Sequence, residues 1–423
     1  MDKMSSWNVF NRALEGFKRF PLFKLMYRIP WAPYAYHFAL AFLGAIIYRF
    51  PSRGLTVIGI TGTKGKTSVL ELINVMLEAS GKKTALFSSV RIKLGGATRD
   101  NLVGNTQPGR FYFQYFMREA RRRGCKYVLL EVTSEGVRFS RHRFIRWSVA
   151  LITNIAPEHI ESHGSFRNYR EEKLKFLEYA VKGNAKVFLN GDNEKSTYFF
   201  EKLRNREPSA YSVEDLKVFS KKALNRLPGD FNKENIAAAV IVARTLGVSD
   251  ETIESALVAF KGIPGRMEFV QKKPFAVVVD YAHTPDSLEA VYKTLKGDDG
   301  GRLICVLGSA GGGRDKWKRP KLGEIASEYC SKIILTDEDP FDEDSLQILE
   351  DIKEGIAKGS KVKTILDREK AIKEAVGFAK DGDTVVVTGN GSELCIRVAD
   401  GKKIEWSDVG VVRKVLRKKK YSY

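Results

Sequence analysis

Charge is missing from one stretch near the start of the chain and recurs with a regular rhythm through the rest. From Pro30 to Tyr48 (PWAPYAYHFALAFLGAIIY) no residue carries a fixed charge, and Arg28 and Arg49 flank the run. Upstream, Lys18, Arg19 and Lys24 sit among Phe17, Phe20, Phe23 and Tyr27. An apolar run of this length is borderline for a bilayer span. Pro30 and Pro33 interrupt its first part and leave a shorter continuous helix. The basic, aromatic flank suits a membrane surface. Surface association, a span, and packing on the following domain all stay open, so residues 1–54 are expected to form a short apolar, basic helical segment.

From Leu55 onward, short β-branched runs alternate with helical periodicity. LTVIGI, KYVLLEV, WSVALITNI and AKVFLN read as strands, Ser68–Ala79 as a helix, and LPGDFNKENIAAAVIVARTLG as a helix after a Pro-Gly turn. After GIPGRM a second series begins with FAVVVDYA, RLICVLGS, KIILTDE and DTVVVTG. Strand–helix alternation of this kind predicts an α/β protein with mainly parallel sheets. The boundary is expected near Gly262–Gly265. It separates a P-loop-type central domain (55–263) from a C-terminal Rossmann-like α/β domain (264–423). The tail RKVLRKKKYSY reads as a solvated end.

Composition narrows the function classes. A chain of 423 residues calls for more than one core, and 43% hydrophobic content is that of a folding chain. The net charge of +20 fits an anionic partner or a solvated surface. No nucleic-acid-binding signature accompanies it, so no nucleic acid is expected. Cys125, Cys305, Cys330 and Cys395 lie far apart with no C-x-x-C pair, which argues against a zinc site and for free thiols in a reducing cytoplasm. No secretory signal pattern is expected from the first residues.

The strongest chemistry lies in GITGTKGKTS, between a strand and a helix. Backbone N–H groups of such a turn, with the helix N-terminus, surround phosphate oxygens. Gly62, Thr63, Lys64 and Gly65 form the turn, Lys66 would reach the β- and γ-phosphates of ATP, and Thr67 or Ser68 would offer a hydroxyl to Mg²⁺. Ile60 stands where the strict P-loop pattern has its first glycine. A purely structural turn would not need Lys66 followed by two hydroxyls.

TGTKGKTS also resembles the ATP loop of the Mur ligase family and the related folylpolyglutamate synthetases. LEVTSEG, TNIAPEHIESHG, YREEK, LNGDN, FNKEN, GRME, VVVDYAHTPDSLE, GGGRDKWKRP and LTDEDP follow in the family's order, from about Val57 to Glu393. The likeness is nearest to the branch that adds the third amino acid to UDP-N-acetylmuramoyl-L-alanyl-D-glutamate. It implies an ATP- and Mg²⁺-dependent amide ligase of peptidoglycan synthesis, acting in the cytoplasm on a muramoyl peptide and a free amino acid. The glutamate carboxylate would be activated as an acyl phosphate. The alternative is a Mur-like or folylpolyglutamate-type ligase acting on a lipid-linked or other carboxylate substrate. A noncatalytic scaffold would not need paired metal ligands.

By this resemblance Lys66 is catalytic, and Thr67, Glu131, His159 and a carbamylated Lys173 hold magnesium. Asn235, Arg266, Asp280 and His283 contact ATP. Asn105, Thr106, Thr133 and Ser134 contact the muramoyl peptide. Arg314, Asp315, Lys316, Asp339 and Glu393 shape the place where the amine arrives. Each has a plainer reading: a polar strand end for Glu131 or His159, an exposed helix lysine for Lys173, a cap for Asp280, a loose loop for GGGRDKWKRP. Two departures stand out. Diaminopimelate-adding members carry Asp-Asn-Pro-Arg where this chain has Glu338-Asp339-Pro340-Phe341, which leaves the amino acid open between diaminopimelate and lysine. The family's N-terminal UDP-binding domain is expected to be missing before the loop, which suggests peripheral contact at the inner face of the membrane.

Overall fold

The computed structural model describes residues 29, 31–101, 107, 109, 111–296 and 301–418. They form two compact units. One is built from the described residues up to Ile155, together with Arg167–Lys217 and Asn235–Ala256. The other comprises Ala156–Phe166, Val218–Glu234 and the described residues from Leu257 on.

Among the described residues, the first unit starts with helix α1 (Ala32–Ile47) and then winds a sheet of eight strands. These are β1 (Thr56–Thr61), β2 (Thr84–Phe87), β3 (Arg91–Leu94), β4 (Ala97–Asp100), β5 (Tyr127–Glu131), β6 (Val149–Ile152), β7 (Lys186–Asn190) and β8 (Ser209–Tyr211). Their order is β4-β3-β2-β5-β1-β6-β7-β8. The strands from β2 to β8 in this order run parallel, while β3 and β4 add antiparallel hairpins at one edge. Helices α2 (Lys66–Ala79), α3 (Tyr112–Arg122) and α4 (Phe166–Lys182) are among its connections. The apolar run of β1 is buried from Val57 to Thr61, as a central parallel strand covered on both faces must be. Gly59 is needed there because a Cβ would lie 2.6 Å from Trp147 and 2.7 Å from Phe176.

In the second unit β9 (Glu268–Gln271), β10 (Ala276–Val279), β11 (Leu303–Leu307), β12 (Lys332–Leu335), β13 (Val362–Thr364) and β14 (Thr384–Val387) form a sheet in the order β13-β12-β11-β14-β10-β9. Only β9 is antiparallel to its neighbour. The period-2 alternation of strands builds two cores. Val278, Cys305 and Leu335 face Leu288, Tyr292 and Leu322 on one side. Val277, Ile304 and Ile334 face Ile372, Val376 and Val415 on the other. Helices α5 (Pro285–Lys296), α6 (Lys318–Tyr329), α7 (Arg368–Phe378) and α8 (Asp408–Lys418) supply those partners.

Arg368, at the start of α7, and Asp408, at the start of α8, form a bidentate ion pair of 2.8 and 2.7 Å with both side chains 1% exposed or less. Arg368 also donates to the carbonyls of Asp337 and Thr388, tying both helices to the carboxyl ends of β12 and β14.

One open alternative closes and one expectation changes. The apolar run near the start yields a helix of only 16 residues, and no helix among the described residues is long and apolar enough to cross a membrane. The cysteines are not all free thiols: Cys305, on β11, is disulfide-bonded to Cys330, the residue that ends α6, while Cys125 and Cys395 stay free. Sequence distance misled here, because a strand–helix–strand unit returns its chain to the neighbouring strand.

Candidate active site

The turn between β1 and α2 is fixed by the end of β6. The Thr63 amide donates to the Asn154 carbonyl (3.0 Å) and the Lys64 amide to Asn154 Oδ1 (2.9 Å). Thr153 Oγ1 donates to the Lys64 carbonyl at 2.5 Å. Two glycines make this path possible. Gly62 has φ +138° and a Cβ there would stand 1.9 Å from Thr153 Oγ1. Gly65 has φ +83° and a Cβ there would stand 2.2 Å from Asn235 Oδ1. The buried amide of Asn235 therefore lies directly against the turn.

Two cations meet on this turn. Lys66 Nζ donates to the carbonyls of Gly62 and Thr63, both at 2.9 Å. Lys173, on α4 and 1% exposed, donates to the same Gly62 carbonyl at 2.8 Å. Tyr169, one turn earlier, carries the Lys173 ammonium 4.5 Å from its ring centroid and bonds Thr63 Oγ1 at 3.1 Å. Two ammonium groups on one carbonyl, at a helix N-terminus, make a strongly anion-seeking place.

Beside it lies a set of hard oxygens. Register puts Glu131 opposite Ile60 at the carboxyl end of β5. Thr67 Oγ1 donates to Glu131 Oε1 (2.7 Å), the Ser89 amide donates to the same oxygen (2.9 Å), and Ser89 Oγ lies 2.9 Å from Thr67 Oγ1. A carboxylate with two hydroxyls suits magnesium, which prefers oxygen donors and keeps water ligands. No cluster of three or more His, Cys, Asp or Glu side chains able to hold a metal occurs among the described residues.

The second unit gathers its own polar groups at the carboxyl ends of its strands, where α/β proteins bind ligands. His159 caps a short helix, Ile160–His163, in a left-handed conformation. Asp315, in the basic loop after β11, accepts the amides of His159 (3.0 Å) and Ile160 (3.2 Å). Burial pushes the Asp315 carboxyl up, but its hydrogen bond with Glu161, the His159 amide and the Lys318 charge outweigh this and hold it below its ordinary value. The loop is therefore tethered by its aspartate. Arg314 stacks over the Phe341 ring (4.7 Å) and Lys316 pairs with Glu343 (2.7 Å).

Asp280, just past β10, accepts the amides of Met267 and Ala282 at 2.7 Å each, so it fixes the turn that carries Arg266. Arg266 lies over the Tyr281 ring at 4.1 Å. His283 Nδ1 bonds the Tyr281 carbonyl (2.7 Å) and Nε2 meets Glu158 (3.2 Å). Asp339 and Glu393 are spanned by Arg397: its amide and guanidinium bond Asp339 at 2.8 and 2.5 Å, and the guanidinium bonds Glu393 at 3.0 Å. Among the described residues, Glu338 Oε2, Asn390 Oδ1, Ser309 Oγ and Arg266 Nε are covered yet have no hydrogen-bond partner. Buried orphans of this kind are uncommon, and each leaves a polar group open to a water or ligand partner.

The sequence matches that of known ligases. Residues 60–243 fit the Mur ligase middle domain and 265–391 the Mur ligase, glutamate ligase domain. The UDP-N-acetylmuramoyl-L-alanyl-D-glutamate--2,6-diaminopimelate ligase of Syntrophomonas wolfei is 34% identical over 405 residues, covering 90% of this chain and 82% of the relative. The chain belongs to the Mur ligase family. Mur ligases are ATP-dependent enzymes that form amide bonds, and this chain is one of them. A solved structure of a UDP-N-acetylmuramoyl-L-alanyl-D-glutamate--2,6-diaminopimelate ligase superimposes with a TM-score of 0.58 at 27% identity, over 90% of this chain and 82% of that one. The Mycobacterium tuberculosis folylpolyglutamate synthase, complexed with ADP and AMPPCP, shares the fold with a TM-score of 0.67 at 17% identity, over 84% of this chain and 93% of that one.

Of the residues singled out in the sequence, the Mur ligase turn brings together Gly62 to Thr67, Lys173, Glu131 and Asn235. Ser68 is buried in the first turn of α2. Asn105 and Thr106 lie outside the described residues. Thr133 caps the helix Ser134–Arg138, accepting the Gly136 amide, and its own amide and hydroxyl donate to Gln107 Oε1 at 2.9 and 3.1 Å. Sequence reasoning missed Ser89, Thr153, Arg397 and Glu338. Thr153 and Glu338 stood inside quoted motifs, whereas Ser89 and Arg397 gave no local signal.

Proposed function

We propose that this Mur ligase, working in the cytoplasm, joins an amino acid to the D-glutamate carboxylate of a UDP-N-acetylmuramoyl-L-alanyl-D-glutamate-like acceptor through an acyl phosphate. In this reading residues 55–263 form the ATP-binding central domain and 264–423 the C-terminal ligase domain. The observation that carries it is the pairing of Lys66 and Lys173 on one loop carbonyl beside the Thr67–Glu131 contact. Phosphoryl transfer between two anions needs such fixed positive charge and little else from the protein. When bound, magnesium would offset phosphate charge; Thr67, Glu131 and His159 would hold it, joined by Lys173 once carbamylation has turned its ammonium into an oxygen donor, which leaves Lys66 as the fixed cation of the turn.

The chain's own groups account for the rest. The turn's amides orient the phosphates, and Lys66 swings from its two carbonyls to the transferring phosphoryl group. Asn235 holds the nucleotide base, and Arg266, Asp280 and His283 contact ATP. The muramoyl peptide is received by Asn105, Thr106, Thr133 and Ser134. The amine attacks the acyl phosphate, forming the amide bond as phosphate leaves and the amine's proton is lost. Arg314, Asp315, Lys316, Asp339 and Glu393 receive the incoming amino acid. Asp339 and Glu393 both bond the Arg397 guanidinium, while Glu338 lies near Lys318 and Arg368. Asp339 and Phe341, standing where diaminopimelate-adding members carry asparagine and arginine, favour a cationic side chain such as that of lysine.

Purified protein with ATP and magnesium, given the muramoyl dipeptide and single amino acids in turn, is expected to release ADP and phosphate only when both acceptor and amine are present. Mass spectrometry should show one new amide bond. Phosphate release without an amine, or no amide product with any pair, refutes the reading. The exposed apolar residues of α1, among them Phe38, Phe42 and Ile46, favour a second element, peripheral contact with the inner face of the membrane and a lipid-linked acceptor. Flotation of the intact protein with vesicles tests the contact.

A further inference from the structure

Helix α1 is apolar on both sides. Ala32, Leu40, Ala41, Gly44 and Ala45 are buried, and Gly44 sits so close to Phe111 that a Cβ would lie 2.6 Å from its ring. The opposite stripe, Trp31, Tyr34, Phe38, Phe42, Leu43, Ile46 and Ile47, stands between 41% and 68% exposed. Its spacing of three and four residues is that of one continuous helix face. At about 1.5 Å per residue the helix is roughly 24 Å long, too short for the ~30 Å core of a bilayer. An unbroken apolar face of this extent on the outside of a protein marks an interaction surface.

The surroundings of that stripe are basic. At its C-terminal end a cavity of about 420 Å³ is lined by Tyr48, Arg49, Pro51, Arg118, Arg121 and Arg122, with no carboxylate among them. Arg122 pairs with Glu119 at 3.1 Å. Arg49, Arg118 and Arg121 are exposed and form no ion pair among the described residues. A second cavity of about 530 Å³ shares the connection after α1 and includes Arg53, Arg146 and Lys182 in its lining, again without an acid. Elsewhere arginines already lean on the helix: Arg138 bonds Tyr34 Oη at 3.2 Å and Arg143 stacks over Phe38 at 5.6 Å. Guanidinium groups held near one another, with Glu119 already engaged by Arg122, are arranged for a multivalent oxyanion.

We propose that the cavity of Arg49, Arg118 and Arg121 takes the phosphate of an anionic lipid headgroup, while the outward stripe of α1 lies in the headgroup–acyl boundary of the same leaflet. The inference rests on the membrane contact suggested above and adds to it a lipid charge requirement and a site. A soluble phosphate ligand would use the arginines but leave the stripe without a role. A second copy of this +20 chain would use the stripe but bring like charge against the arginines.

The test is sedimentation of the full chain with phosphatidylcholine vesicles, with and without about one third phosphatidylglycerol, at low and high salt. We expect at least about tenfold stronger partition onto the anionic vesicles, falling as salt rises. Arg118→Gln/Arg121→Gln should bring anionic binding down to the neutral level. Leu43→Ser/Ile47→Ser should weaken binding to both vesicle types. Neither pair belongs to the ligase machinery, so both variants should keep wild-type turnover on soluble acceptors. Equal partition onto anionic and neutral vesicles overturns the phosphate site and leaves the membrane contact standing. No partition onto either overturns both. Binding of inorganic pyrophosphate to protein that never partitions reassigns the cavity to a soluble ligand. A dimer broken by Leu43→Ser/Ile47→Ser in protein that never partitions reassigns the stripe to a second copy.

Discussion

Replacing Glu338 by glutamine should remove a pH dependence from the stability of the protein. Glu338 follows β12, is 7% exposed, and leaves Oε2 without a hydrogen-bond partner among the described residues. Burial lifts its carboxyl from an ordinary value of 4.5 to about 7; Lys318 and Arg368 pull it down, and Asp339 and Asp408 push it up. In the unfolded chain the group titrates near its ordinary value. Between the two values the folded protein holds a proton that the unfolded chain has released, so stability falls as pH rises. The loss levels off above the folded value. At about 1.4 kcal/mol per pH unit the full effect is roughly 3 kcal/mol, of which roughly 2–3 kcal/mol falls between pH 5 and pH 8. Glutamine keeps the shape without the charge. Urea unfolding of wild type and Glu338→Gln at both pH values, followed by circular dichroism, measures the double difference. If the two proteins lose stability in parallel between pH 5 and pH 8, the buried carboxylate is not titrating as reasoned.

Three further outcomes follow from the geometry. Lys66→Ala should lower turnover by roughly a thousandfold or more while the thermal midpoint stays within a few degrees, as read by phosphate release and calorimetry; near-normal turnover would contradict its role. Gly62→Ala forces a Cβ into Thr153 at a positive φ. Backbone strain of about 1–3 kcal/mol should raise the ATP concentration for half-saturation about tenfold or more in a nucleotide titration. Arg368→Ala leaves Asp408 buried and unpaired and should cost about 3–5 kcal/mol in chemical denaturation.

Much of the fold was legible because central parallel strands are apolar without interruption. LTVIGI, RLICVLGS and DTVVVTG each contain an observed strand, with ends moved by a residue or two. The phosphate turn was legible because its chemistry is local: glycines, Lys66 and hydroxyls sit within a few residues. What escaped was brought together by register. Ser89 reaches Glu131 only because β2 and β5 are neighbours, and Arg397 reaches Asp339 across 58 positions of sequence. The short helix expected in the apolar run is α1, whose ends fall within two residues of that run's limits. The Cys305–Cys330 bond went unseen for the same reason as the register contacts.

That bond has a practical consequence for handling the protein. It spans 25 positions and encloses the glycine-rich stretch at Gly311 to Gly313, of which Gly312 and Gly313 lie open to solvent, the kind of loop tip a protease finds first. A cut there would divide the backbone but not the molecule, because the two pieces remain chained through sulfur. Such damaged enzyme would travel as intact material on a gel run without thiols, and only reduction would reveal two fragments.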